Sequence, residues 1–125
     1  MGAQAANTKA VIEHVREARA DELLEKLGDT APHGGGSTDL SAIGLALVER
    51  KVRALFVAEG AYIPGGFDEE TGEVFLFERE PHGRFQGPEL AAAFARAALA
   101  QDAEVFELAP EKIPGDSGMA ALYRY

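Results

Sequence analysis

The side chains that could do chemistry are few and scattered. Three histidines, His14, His33 and His82, are the strongest metal-ligand candidates, yet no two fall at the HxxxH spacing that presents a ligand pair from one helical turn to the next. His14 sits between Glu13 and Val15 on a helical stretch and reads as structural. His82, between Pro81 and Gly83 in a loop, lacks a second imidazole nearby, and no metal is expected. Glu69, Glu70, Glu78 and Glu80 could pair as carboxylates for acid–base work, but an acidic run of this kind ordinarily forms a solvated face. Cysteine is absent, which excludes disulfides, thiolate catalysis and cysteine-based zinc sites. Neither a Gly-x-Ser-x-Gly elbow nor a His-Glu-x-x-His motif occurs. No nucleophile, base and oxyanion stabiliser can be assembled from what remains, so the reading assigns no catalytic residue and no cofactor.

The glycine-rich stretch Gly34-Gly35-Gly36-Ser37-Thr38 is the other candidate, because N–H groups at a helix start attract anions. A phosphate cradle of the P-loop kind would need GxxxxGK[ST] after a strand. Here no lysine follows the glycines, and no strand is predicted before them. With Pro32 nearby, Asp29 to Ser37 reads as a flexible loop, and Ser37, Thr38 or Asp39 as the N-cap of the next helix. A small ligand-binding or enzymatic domain using this loop stands as one function class to be tested.

The elements that must position these residues centre on Leu40 to Gly60. Leu40, Ile43, Leu47 and Val48 recur at the spacing of a helix with one buried face. Leu55-Phe56-Val57, flanked by Ala54 and Ala58, predicts a short strand covered on both faces. Upstream, Thr8 to Leu27 predicts a helix with Val11, Ile12, Val15, Leu23, Leu24 and Leu27 on its apolar side and Gly28 as its stop. Downstream, Asp68 to Gly72 forms a turn before the strand-like Val74-Phe75-Leu76-Phe77, predicting a strand or hairpin within Tyr62 to Pro88. A third helix runs from Pro88, at its first position, to Gln101, with Glu89 in its first turn and Leu90, Phe94, Ala97 and Ala98 inward. Val105 to Leu108 is a strand, and Gly118 to Tyr125 a turn or bend leading into a last one. This order predicts a three-layer α/β/α sandwich on a small mixed sheet.

At 125 residues, 46% hydrophobic and 26% charged, the chain is expected to be a single domain, 1–125, with an insertion at about 62–88. Met1-Gly2-Ala3 is compatible with a domain cut from a longer protein. A net charge of −9 disfavours nonspecific attachment to nucleic acid or anionic lipid. No apolar run approaches bilayer length and the start lacks signal-peptide layout, so the expected setting is the cytoplasm.

Two stretches carry a family resemblance. The glycine-rich loop, the helix ending in Glu49-Arg50, the strand VRALFVAE at Val52 to Glu59 and the following Pro64 resemble the ribosomal L7Ae and L30e-like fold. The ending Gly118-Met119-Ala120-Ala121-Leu122-Tyr123-Arg124-Tyr125 is similar to the Gly-Gly-Ile-Ala-Ala-Leu-Leu-Arg-Tyr terminus of the third domain of the eukaryotic peptide chain release factor 1 and Pelota group, including its bacterial archaeo-eukaryotic release factor-like relatives. The resemblance spans residues 34–125. It implies a non-catalytic interaction domain contacting the ribosome or a translation-associated protein in peptide release or rescue of stalled ribosomes. RNA-binding L7Ae relatives grip a kink-turn with an Asn-Glu pair and lysines at the start of the second helix. This chain has Gly36-Ser37-Thr38-Asp39-Leu40 there and no lysine until Lys51, which argues against kink-turn RNA. Peptidyl-tRNA hydrolysis would need a Gly-Gly-Gln loop, and none occurs. Relatives carry an insertion, sometimes a zinc ribbon, where Tyr62 to Pro88 lies; without cysteines a metal-free hairpin is implied. Gly35, Gly36, Ser37, Thr38, Asp39, Phe67 and Arg84 are the expected partner-contact residues. An L7Ae-type RNA-binding protein is the alternative class.

Overall fold

Val52–Ala58, buried on both faces, is one of the two inner strands of the sheet, β2. In the computed structural model, which describes residues 2–77 and 89–124 and, within residues 2–14, the helical backbone alone, the sheet order is β1-β6-β2-β5. Its other strands are β1 (Gly36–Ser37), β5 (Glu104–Leu108) and β6 (Met119–Tyr123). Side chains alternate across β2: Leu55 and Val57 join one core cluster, Ala54, Phe56 and Ala58 the other. The C-terminal β6 runs antiparallel to β2 with Phe56 opposite Ala120, while β5 runs parallel with Phe56 opposite Phe106. The small residues Ala120 and Ala121 of β6 let both helix layers approach the sheet closely.

Helix α1 (Gly2–Thr30) covers one face through Ala20, Leu23 and Leu27, against Phe56, Phe106 and Leu122. Helices α2 (Leu40–Val48) and α3 (Leu90–Ala100) cover the other through Ile43, Leu47, Leu90, Phe94 and Ala98. The expected three-layer α/β/α sandwich with a mixed sheet is therefore what forms. So is the inserted hairpin: β3 (Gly65–Phe67) pairs antiparallel with β4 (Val74–Leu76). Asp68 organises its turn by accepting from the Glu70 and Thr71 amides.

Three local expectations are corrected. Gly28 does not stop α1; the helix continues to Thr30, where the Thr30 hydroxyl bonds back to the Lys26 carbonyl at 2.9 Å. A 3-10 turn at Ala31–His33 follows, closed by Gly34 at φ 83. The break belongs to Pro32 and this left-handed glycine, since Gly28 has no Cβ-dependent conflict with the helix. Val15, placed on the apolar side from its spacing, is 61% exposed. From residue 15 onward, the first buried side chain of the helix is Ala20. Glu89 caps α3 rather than lying within its first turn; its carboxylate accepts from the Ala91 and Ala92 amides at 2.8 and 3.0 Å. Pro88, expected at the first helical position, lies outside the described residues.

The same Glu89 carboxylate accepts from the Ile63 amide at 2.9 Å, and the Leu90 amide donates to the Ile63 carbonyl at 2.8 Å. One side chain thus caps the helix and holds the segment that leads into the hairpin. Glu89→Ala is expected to lower stability by about 1–2 kcal/mol, the upper part of the capping range, because three amides, those of Ile63, Ala91 and Ala92, lose their partner. Urea denaturation checks this, and the loss should exceed that of Asp39→Ala at the α2 cap, which frees one amide.

Helices α2 and α3 end alike. Arg50 and Asp102 take left-handed φ of 58 and 61. The Lys51 amide reaches the Ala46 carbonyl and the Ala103 amide the Ala98 carbonyl, both at 2.9 Å. These are paired Schellman stops built without glycine, each turning the chain directly into a strand, β2 and β5 respectively.

Candidate functional site

The expected contact residues Gly35 to Asp39 do not form a flexible loop. Gly36 and Ser37 are a strand, in register with Leu122 and Ala121 of β6, and the Tyr123 amide donates to the Gly35 carbonyl at 2.9 Å. Glycine is required here by contact. A Cβ on Gly35 would meet the Thr30 side chain, and one on Gly36 would meet the Leu27 side chain and lie 2.5 Å from the Ala121 carbonyl oxygen. The two glycines let the edge of the sheet lie directly against the end of α1.

Past β1 the polar groups are consumed locally. The Asp39 amide donates to Ser37 Oγ at 3.0 Å, and Asp39 Oδ2 accepts from the Ala42 amide at 3.0 Å as the α2 N-cap. The Ser117 hydroxyl donates to the Thr38 carbonyl at 2.6 Å, tying this segment to the bend before β6. The start of α2 thereby carries its own carboxylate where an arriving phosphate would sit. This geometry suits an anion poorly. Tyr123 lies alongside: burial pushes its phenol above the ordinary tyrosine range, nearby Asp39 and Glu49 add to the rise, and a hydrogen bond with Ser37 opposes it. The phenol is a neutral polar group at neutral pH, unsuited to act as a base.

Between β1, the C-terminal turn of α1 and the 3-10 turn Pro110–Lys112 lies a cleft of about 460 Å³. Leu24, Leu27 and Ala31 form its apolar side, Ser37 and Thr38 its hydroxyl-bearing side, and Lys112 its cationic corner. The Lys112 ammonium lies 3.1 Å from Glu17 and 3.6 Å from Asp21. Among the residues lining the cleft it is the one lysine or arginine, and two carboxylates of α1 already offset it. Sequence reasoning missed Lys112 and Pro114 because they stand more than seventy positions after Ser37 and carry no motif.

The other expected contact residues are elsewhere. Phe67 is turned inward on the opposite side of the sheet, its ring edge-on to Phe94 with centroids 5.0 Å apart. It anchors the hairpin to α3. Arg84 and His82 lie outside the described residues. His33 stands exposed in the 3-10 turn, and among the described residues no three His, Asp or Glu side chains converge as a metal site. No described helix is long and apolar enough to cross a membrane.

Fold and site together define a three-layer α/β/α domain whose glycine-bearing edge strand flanks a largely apolar cleft with one ion-paired lysine at its corner. No protein-family model matches the chain, and no curated protein matches its sequence. Among solved structures, the fold is similar to that of the C-terminal domain of peptide chain release factor from Methanosarcina mazei, with a TM-score of 0.63, 16% identity, and coverage of 97% of this chain and 88% of that one. The likeness read from the VRALFVAE and GMAALYRY stretches holds for the fold.

Proposed function

We propose that this chain is a non-catalytic interaction domain of a release-factor-like protein, which contacts the ribosome or a translation-associated protein during peptide release or the rescue of stalled ribosomes. The observation that carries the reading is the likeness to a release factor C-terminal domain over nearly the full length of both chains. Fold alone does not assign function. The choice of a protein surface over RNA rests on the site: Asp39 caps α2, and Lys112 is already matched by Glu17 and Asp21. Gly35, Gly36, Ser37, Thr38 and Asp39 form the contact surface, with the cleft beside them taking an apolar side chain of the partner. Such a role places the domain in the cytoplasm, where its partners are, and calls for no cofactor or metal.

The expected result of titrating the chain with a kink-turn RNA at several salt concentrations is weak binding with no saturation. Tight binding that falls steeply as salt rises would replace this reading with an RNA-binding one, since phosphate contacts release counterions. A rise in melting temperature with nucleotides or inorganic phosphate would instead support ligand binding at the glycine-rich segment.

A further inference from the structure

The far edge of the sheet offers a second surface. Among the described residues no strand pairs with the outer side of β5. The Glu59 amide donates to the Leu108 carbonyl at 2.7 Å, and Ala58 is in register with Leu108. In a parallel ladder alternate residues bond to the same neighbour, so Glu104, Phe106 and Leu108 face β2. Val105 and Glu107 therefore turn their N–H and C=O groups outward. The Arg16 guanidinium, which donates to the Val105 carbonyl at 2.7 Å, marks that direction. Arg16 is exposed and lies on the α1 side, over the Phe106 ring at 5.3 Å, so it covers one acceptor and leaves the α3 side open.

On that open side a groove of about 320 Å³ runs between β5 and α3. Ala91, Ala92 and Ala95 of α3 and Val105 of β5 wall its outer part, and its inner part is closed by Val57 and Ala58 at the end of β2 and the turn that follows. Glu107 and Glu89 are its charged members, and no lysine or arginine lines it. Small walls accept a small apolar side chain. The carboxylate of exposed Glu107, two positions along the strand from Val105, calls for a cation on the same face. A second copy of this chain fits poorly, because pairing two β5 edges would bring Glu107 carboxylates and two charges of −9 together.

We infer that the outer edge of β5, with the alanine-walled groove beside it, takes an extended segment of a partner protein that pairs with Val105 and Glu107 and carries a small apolar residue two positions from a Lys or Arg. Strand addition of this kind draws affinity from main-chain hydrogen bonds and specificity from alternate side chains. This surface is separate from the Gly35–Asp39 surface and stands or falls independently of it.

The probe is Ac-Thr-Lys-Thr-Val-Thr-Lys-Thr-NH2, which reads the same in either direction, added to the full chain while amide exchange is followed by NMR. At saturation the Val105 and Glu107 amides should exchange at least about tenfold more slowly, the signature of new backbone pairing. The same peptide with glutamate in place of lysine should give no protection. Ala92→Leu, at an exposed position that tolerates the change, should fill the groove and weaken binding about tenfold or more with the melting temperature kept. Glu107→Lys should reverse the preference toward the glutamate peptide. Unchanged exchange at Val105 and Glu107 at millimolar peptide would overturn the inference. Protection confined to another edge, or protection that grows with protein concentration alone, would overturn it as well.

Discussion

Phe56→Ala lowers the unfolding free energy by about 3–5 kcal/mol, the range for deleting a phenyl ring from a fully buried site. Phe56 is 0% exposed, and its neighbours leave little means of collapse. On one side it is hydrogen-bonded into register with Ala120 of β6, on the other with Phe106 of β5, whose ring stacks on it at 5.7 Å. Above it lie Leu23 and Leu27 of α1. The strands are held by ladders on both sides, so the cavity cannot be closed by moving β2. Relief could come only from α1 settling, and Leu23 and Leu27, one helical turn apart and buried on the same face, resist that. Urea denaturation followed by circular dichroism measures the loss. A decrease below about 1 kcal/mol would mean that α1 does not pack on this face as described.

Gly36→Ala is expected to destabilise by about 1–3 kcal/mol, although it adds a single methyl group. The added carbon would lie 2.5 Å from the Ala121 carbonyl oxygen, which is part of the β6 backbone and cannot rotate away. It would also press on Leu27, at the base of the cleft. The strand must therefore lift from β6, and the Gly36 to Leu122 pairing loosens. Gly28→Ala supplies the internal contrast, because a Cβ there meets nothing within 4 Å and the residue is helical. That variant should gain about 0.5–1 kcal/mol. Thermal melts of the two alanine variants separate contact from conformational freedom as the reason for glycine at each position.

The layers of the fold were legible because their signals were redundant. Leu55-Phe56-Val57 is continuous and apolar, with an aromatic and a β-branched residue, and so short a run between alanines suits a strand buried on both faces. The turn Asp68 to Gly72 before Val74 to Leu76 announced the hairpin in the same way. What escaped were features decided by distant contacts. Two residues, Gly36-Ser37, carry no strand propensity, and become β1 because β6 presents a free edge and Leu27 leaves room for the glycine. Val15 fits the helical stripe but is exposed, and it is the neighbouring Arg16 that reaches β5 at this point of α1. Arg50 and Asp102 end their helices in a conformation that favours glycine, so no local sign marks them. The cleft beside Gly35 to Asp39 could not be read from the sequence, because Lys112 and Pro114 complete it from far along the chain, and Phe67, grouped with that segment as a contact residue, anchors the opposite face.

The central claim is that this domain makes contacts within the translation machinery through the start of α2. Sedimentation of the purified chain with purified ribosomes, with and without added translation factors, tests it most directly when run beside Ser41→Arg, which places a bulky cation on the exposed first turn of α2 and leaves the Asp39 cap in place. The account predicts that the wild-type chain co-sediments and that Ser41→Arg does so at least about tenfold less tightly, with an unchanged melting temperature. Absence of the wild-type chain from the ribosomal and factor-bound fractions, or equal binding by the variant, would contradict it.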